Sequence, residues 1–284
     1  MKIKYFFDSD TATFTYVISN EESNQCIIID PVLNYDQYSG ITSTKSADEI
    51  IAYLNQENLK AKWILETHIH ADHLTASSYL KEKLNSKIGI GENIKEVLKF
   101  WVPIFNTEND TDLNGSQFDH LFKDGEIIKI GSLEIKIIHT PGHTPACVSY
   151  LIEDSIFVGD TLFMPYVGTA RTDFPGGSAD MLYDSIQKIL SLPKNTKIYT
   201  CHDYPPEDKH PSSVSTVLEQ ENHNIMINEA VSKTEYVKAR NDKDRGKKVP
   251  QLLLPSIQFN LRAGSFGVRE NNGTQYIKIP INKI

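Results

Sequence analysis

An α/β fold is predicted for this chain, on two observations. Short apolar runs of strand length alternate with amphipathic stretches at helical spacing between residues 13 and 200. Three of those runs end directly in a histidine or an aspartate: Lys62 to Glu66 before Thr67-His68, Ser155 to Gly159 before Asp160, and Lys197 to Thr200 before Cys201-His202. In open α/β sheets ligands gather beyond the carboxyl ends of strands, so these strand ends mark the candidate site.

Taken in order, Thr13 to Ile18 alternates aromatic and β-branched residues, a polar turn follows at 20–24, and Cys26 to Asp30-Pro31 reads as the second arm of a hairpin, apolar enough to be buried on both faces. Ser46 and Glu49 form a capping box, and Ile50, Ile51 and Leu54 follow at helical spacing until Asn58. After the strand at 62–66, Leu74 to Leu84 reads as a short amphipathic helix, so that His70, Asp72 and His73 stand in the turn entering it. A strand at 87–90, a helix from about 93 to 101 and a polar loop at 107–117 come next. Lys123-Asp-Gly125 and Gly131-Ser132 bracket a hairpin of strands Glu126 to Ile130 and Leu133 to His139. The second strand runs into Thr140-Pro-Gly-His143-Thr-Pro145, where proline and glycine forbid regular structure and stiffen the loop.

Val148 to Ile152 and Ser155 to Gly159 make two further strands, Ser178 to Leu190 a helix that ends before Pro193, and Lys197 to Thr200 a last strand. Residues 213–245 read as two helices, the second opened by the box Ser232 to Glu235, and the runs Leu252 to Pro255 and Tyr276 to Ile279 close the chain. No low-complexity linker interrupts it. One catalytic unit is therefore expected over residues 1–284, with a short C-terminal extension at about 205–284.

The composition, 39% hydrophobic and 23% charged, is that of an ordinary globular protein. A formal charge of −8, from 29 Lys and Arg against 37 Asp and Glu, argues against a nucleic-acid surface. No apolar run approaches the ~18 residues needed to span a bilayer, and acidic residues follow Met1 too soon for a secretory signal, so no membrane contact and a cytoplasmic location are expected. Cys26, Cys147 and Cys201 are odd in number and lack a Cys-x-x-Cys pair, which excludes a disulfide framework or zinc ribbon.

Thr67-His68-Ile-His70-Ala-Asp72-His73 packs four metal-competent side chains into six positions. Imidazole nitrogen with carboxylate oxygen suits zinc or non-haem iron better than calcium or magnesium. With His143, Asp160 and His202 the candidates number seven, enough for two metals, or for one metal whose ligands are oriented by hydrogen-bonded partners. Spacing alone does not choose. His120, His139, His210 and His223 lack either the strand-end placement or partners and are read as surface or structural, as are Cys147 and Cys201. Arg171, in Arg171-Thr-Asp-Phe174 soon after Asp160, places a permanent cation near the metal, where its planar fork suits a substrate carboxylate.

Together, Thr67 to His73, Pro141-Gly-His143-Thr-Pro145, Gly159-Asp160-Thr-Leu162 and Cys201-His202-Asp-Tyr204 resemble the metallo-β-lactamase superfamily, in its motif order and over about residues 10–205. The resemblance implies an αββα sandwich of two mixed β-sheets flanked by helices. Ala71 to Thr75, Arg171 to Phe174, His202-Asp-Tyr204 and Ile277-Lys-Ile-Pro280 are most similar to persulfide dioxygenases and the bacterial β-lactamase-like hydrolase branch. That likeness implies one Fe(II) per chain held by His68, His143 and Asp160, surrounded by His70, Asp72, His73 and His202. It further implies a small-molecule thiol persulfide and O2 as substrates, sulfite and the thiol as products, and a homodimer or higher homo-oligomer. Arg171, Tyr204 and, from Asn260-Leu-Arg-Ala263, Arg262 are the expected substrate-binding residues. The mitochondrial-type enzymes carry Gly-Cys-Gly where this chain has Tyr166 to Ala170, a difference that bears on which thiol is carried. The neighbouring branch, hydroxyacylglutathione hydrolase, implies instead two metals, zinc or mixed zinc and iron, on the same histidines. A metal or persulfide sensor without turnover is the remaining alternative, and no DNA-reading motif accompanies it.

Overall fold

A computed structural model describes residues 1–205 and 209–283. The first half builds strands β1 (Lys2–Asp8), β2 (Thr13–Ser19), β3 (Gln25–Ile29), β4 (Val32–Asp36) and β5 (Ile41–Ser43), then helix α1 (Lys45–Gln56) and strands β6 (Lys60–Leu65) and β7 (Leu74–Thr75). Helix α2 (Ser77–Leu84), β8 (Lys87–Gly91), α3 (Ile94–Phe105) and β9 (His120–Phe122) complete it. The second half holds β10 (Ile127–Ile130), β11 (Leu133–His139), β12 (Val148–Ile152), β13 (Ser155–Phe157), α4 (Ala179–Leu190), β14 (Lys197–Tyr199), β15 (Val214–Thr216), α5 (Val217–His223), α6 (Lys233–Asp244) and α7 (Leu253–Asn260).

Two six-stranded mixed sheets form, in the orders β1-β2-β3-β6-β8-β9 and β10-β11-β12-β13-β14-β15, and β5-β4-β7 makes a small third sheet. Strand alternation assigns the faces. Phe14, Tyr16 and Ile18 of β2, with Ile27 and Ile29 of β3, meet Ile135, Ile137, Tyr150 and Phe157 of the second sheet in the central core. The intervening Val17, Cys26 and Ile28 face the other way, against α1, α2, α3 and α7. Ile156 and Ile198 likewise turn to α4, α5 and α6. The result is the αββα sandwich, with both strands of the expected hairpin at 13–29 buried on two faces.

Several expectations need correction. Helix α1 begins at Lys45, and Ser46 caps nothing: its hydroxyl donates to Asp8 (3.1 Å), and its amide to Asn34 (2.9 Å). Leu74-Thr75 is a strand paired with β4, so the second helix starts only at Ser77. Helix α3 continues through the exposed Pro103 to Phe105, because Trp101, Val102 and Phe105 all bury in the core and the proline removes a bond only on the solvent side. The terminal run Tyr276 to Ile279 has its backbone tied by one side chain, Gln258, which accepts from Lys278 N (2.9 Å) and donates to its carbonyl (2.7 Å). The box Ser232 to Glu235 is present, and Thr216 to Glu219 forms another at α5. Among the described residues no helix is long and apolar enough to cross a membrane.

Candidate metal centre

The sheets' carboxyl edges deliver the candidate ligands, and buried hydroxyls pin those edges. Tyr150 OH donates to the Glu66 carbonyl (2.7 Å) past the end of β6, and Tyr16 OH donates to the Thr200 carbonyl (2.6 Å) past β14. Asp30, after β3, receives the amide and hydroxyl of Thr67, each at 2.8 Å, and stands 3.0 Å from His70 Nε2. The turn from His70 to Thr75 is clamped by Asn260 at the end of α7. Its Nδ2 donates to the carbonyls of His70 and His73 (2.9 Å each) and its Oδ1 accepts from Thr75 N (2.8 Å).

Gly142, at φ +143°, brings the His143 loop onto α4, where an added Cβ would lie 2.4 Å from the backbone of Leu182. Gly159, at φ +51°, does the same for Asp160 against Thr67. His143 Nδ1 then donates to the Arg171 carbonyl (2.8 Å), and His202 Nδ1 lies 3.2 Å from the Ala12 carbonyl.

All seven candidates converge. His68, His143 and Asp160 place one donor atom each within 4.8 Å of one another, and so do His70, Asp72, His73 and His202. Asp160 faces both sets: Oδ2 is 3.9 Å from His68 Nε2 and 3.7 Å from His143 Nε2, while Oδ1 is 3.4 Å from His202 Nε2. Among the described residues, four buried imidazole nitrogens, His68 Nε2, His70 Nδ1, His73 Nε2 and His202 Nε2, have no hydrogen-bond partner, nor has Asp160 Oδ1. Such orphaned groups are costly in an interior, and a divalent cation would satisfy them at once. The other nitrogen of His68, His70 and His143 is already held, at 3.0, 3.0 and 2.8 Å, which fixes the tautomer as metal-bound imidazoles require. The residues therefore fit a metal.

The electrostatics agree. Burial, then the crowd of neighbouring imidazoles, pushes His68 well below the ordinary histidine value, so its Nε2 is a bare donor. Burial also opposes a charge on His70 and His202, but Asp30 outweighs it at His70, and Asp72 with Asp160 outweighs it at His202, raising both. Carboxylates that raise these imidazoles would equally attract a metal cation in the proton's place. Cys201 comes within 4.8 Å of the Asp160 and His202 donors, yet its Sγ points to Asp30 Oδ2 (3.7 Å), and burial holds the thiol far above its usual value. Cys147 is buried against Thr144.

A cleft of about 400 Å³ opens over His143, Asp160 and Asp72. Arg171 lines it, with Nε and Nη2 on Asp173 (2.6 and 2.7 Å) and Nη1 on the Lys248 carbonyl (2.9 Å). Tyr204 lines it too, its ring stacked on His202 with centroids 6.0 Å apart. Arg262 lies elsewhere: it is buried, bonded to Asp110, and lines a separate cavity.

Four contributors went unnoticed in the sequence. Asp30 follows the run Cys26 to Ile29 just as Asp160 follows its strand, so the same signal was there to extend. Lys243 and Lys247 stand in the cleft wall beside Arg240, within a basic stretch unusual for so acidic a chain. Asn260 gave no local signal.

A family model described as the metallo-beta-lactamase superfamily matches residues 9–202. The chain belongs to that superfamily. Among its relatives, Glyoxylase B2 of Dictyostelium discoideum is 53% identical over 283 residues, 99% of this chain and 97% of that one. "Persulfide dioxygenase ETHE1, mitochondrial" of Homo sapiens is 31% identical over 265 residues, 92% of this chain and 88% of that one. The crystal structure of ETHE1 from Myxococcus xanthus superposes with a TM-score of 0.74 at 27% identity, covering 93% of this chain and 100% of that one. This is an enzyme of the metallo-beta-lactamase superfamily, related to persulfide dioxygenases and to a protein named a glyoxylase, with a metal-binding cluster of histidine and aspartate.

Proposed function

We propose that this chain is a persulfide dioxygenase. One Fe(II), held by His68, His143 and Asp160, would serve the conversion of a glutathione-type persulfide, O2 and water to the thiol, sulfite and two protons. The observation that carries the reading is the convergence of two imidazoles and one carboxylate oxygen at the floor of a cationic cleft. The relative named persulfide dioxygenase, similar over 92% of the chain, supports it. Two histidines and one carboxylate are the donor set of non-haem iron oxygenases, and the ion, when bound, supplies a path for electrons from a closed-shell sulfur anion to O2.

The chain's own residues bind and orient. Asp173 and the Lys248 carbonyl occupy Arg171, and Asp244 neutralises Arg240, while Lys243 Nζ has no carboxylate within bonding reach among the described residues. Lys247 stands at 3.4 Å from the shared Asp244. Surplus positive charge thus remains on the side of Lys243 and Lys247, in a chain of net charge −8. Among the described residues, the wider hollow of about 630 Å³ beyond Asp72 and Tyr204 has no cation in its walls. A substrate with carboxylates is thereby drawn to the cationic side, with Arg171 and Tyr204 flanking its path to the metal. Phe163, Val167 and Phe174 line the same cleft and keep water from the sulfur. Held there by these residues, the substrate would meet its co-reactant in an effectively intramolecular encounter, an effect worth up to ~7–11 kcal/mol.

A second reading is favoured by the four-residue set His70, Asp72, His73 and His202 and by the relative named Glyoxylase B2: a thioester hydrolase in which His68, His143 and Asp160 would hold one metal and the four-residue set a second. An oxygen electrode with freshly made glutathione persulfide, run beside lactoylglutathione hydrolysis, separates them. O2 uptake with matching sulfite is expected. Rapid thioester cleavage with no O2 uptake would establish the hydrolase instead.

A further inference from the structure

Beside the β4–β5 hairpin lies a smaller cavity of about 210 Å³, and none of the histidines or aspartates of the metal cluster lines it. Its walls are largely aromatic and aliphatic, among them Tyr35, Leu74, Phe259, Phe266 and Tyr276. Among the described residues the one charged side chain that lines it is that of Arg262.

Arg262 is only 8% exposed, and its Nε donates to Asp110 Oδ1 at 3.0 Å. Asp110 is otherwise filled by Thr111 Oγ1 (2.9 Å) and the Val268 amide (3.2 Å). Nη1 and Nη2 have no acceptor among the described residues. A guanidinium carries five N–H donors, so four have no protein acceptor among the described residues, in a cavity whose other polar side chains are those of Thr42, Gln275 and the tyrosines Tyr35 and Tyr276. The guanidinium is also held in place, for Gly267 at φ +77° packs so close that an added Cβ would fall 2.9 Å from Arg262 Cζ. Donors fixed and uncommitted in an apolar cavity are how small-molecule sites set orientation.

We infer that this cavity is a binding site, separate from the metal centre, for a small monocarboxylate with a flat apolar body. The carboxylate takes the parallel N–H groups of Nη1 and Nη2, and the body lies among Tyr35, Phe259 and Tyr276. A carboxylate fits because the guanidinium fork matches its two oxygens and charge-assisted bonds are the stronger ones. A phosphate dianion does not fit, since Arg262 already shares its single charge with Asp110 and no second cation among the described residues lines the walls. The inference does not depend on which reaction the metal centre performs.

Benzoate is the probe, titrated calorimetrically into the full-length metal-loaded protein, with benzamide and inorganic phosphate as comparators. Saturable benzoate binding is expected, with benzamide weaker by about tenfold or more, as loss of a charged partner implies. Phosphate should not bind at this site. Arg262→Gln removes the fork, and Thr42→Trp fills the cavity from the half-buried hairpin wall while leaving the Arg262–Asp110 pair intact. Circular dichroism establishes which variants fold, and Thr42→Trp decides alone should Arg262→Gln fail to. Loss of benzoate binding in each folded variant supports the site. No saturable binding to the unmodified protein, benzamide binding as tightly as benzoate, or benzoate binding retained by either folded variant overturns it.

Discussion

Asp244 Oδ2 accepts the backbone amide of Thr172 at 2.8 Å, and by that bond helix α6 holds the loop whose Arg171 carbonyl orients His143. The same carboxylate pairs bidentately with Arg240, which is 1% exposed and whose Nη1 donates to the Thr169 carbonyl at 3.0 Å. Asp244→Ala would leave Arg240 buried and unpaired. We expect a loss of ~3–5 kcal/mol in urea denaturation, the usual result of breaking one side of a buried pair. A change below about 1 kcal/mol would mean that Arg240 finds water or another acceptor.

Metal content tests the two donor sets separately. Element analysis of protein from iron-supplied cells should give one iron per chain, and His68→Ala should abolish it. Replacing Asp72 or His202 should weaken iron binding about 10–100-fold without removing it, as expected of groups that orient the ligands. Two zinc ions per chain, both lost together in any of these variants, would mark a dinuclear centre and the hydrolase.

Lys243 and Lys247 should set substrate affinity. Partial burial, and after it the neighbouring charges of Arg240 and Lys247, pull Lys243 below the ordinary ammonium value. In Lys243→Ala and Lys247→Ala variants KM is expected to rise about five- to tenfold with kcat within about twofold. Added salt should weaken the native enzyme's affinity more than that of the double variant. Equal salt dependence in both would remove the two lysines from substrate binding.

The thiols should be inert and should make stability fall at alkaline pH. Burial pushes Cys26 and Cys147 up to about 12, against ~8.5 for an unfolded cysteine. Below about pH 8.5 both states keep their protons and the contribution is fully present; above it only the unfolded chain ionises, so stability drains away as pH rises toward 12. Native protein at pH 8 should resist iodoacetamide that labels the urea-unfolded chain. Cys26→Ala should flatten the fall of urea-unfolding free energy between pH 8 and 10, and an unchanged slope would assign that fall to other groups.

Periodicity and turn chemistry carried a sequence reading far. The strands ending at His139 and Ile152, the helix to Leu190 and the four ligand motifs all show in hydrophobic runs broken by proline, glycine or histidine. Most of what escaped depends on distance or brevity; strand β1 (Lys2–Asp8), seven residues long and paired with the next strand, is the exception. Strands β4, β5, β7 and β9 are two to five residues long, too short for a period to register. Ser46 resembles a helix cap, but Asp8, 38 residues away, competes for its hydroxyl. Lys243 and Lys247 matter only once α6 packs beside the loop that follows Asp160, and no spacing along the chain announces that meeting.

The clamp made by Asn260 bears on how the protein comes into being. His70 and His73 lie 190 and 187 residues before the amide that fixes their carbonyls, so during synthesis every candidate ligand emerges well before the group that shapes their turn. Contacts of such sequence separation form late, after a large loop has been closed. A nascent chain ending at residue 250 would carry all seven donors and lack the template that presents three of them. Loading of an ion is therefore expected to wait for the completion of α7, and a ribosome-stalled fragment to gather metal loosely, if at all, at a half-shaped turn.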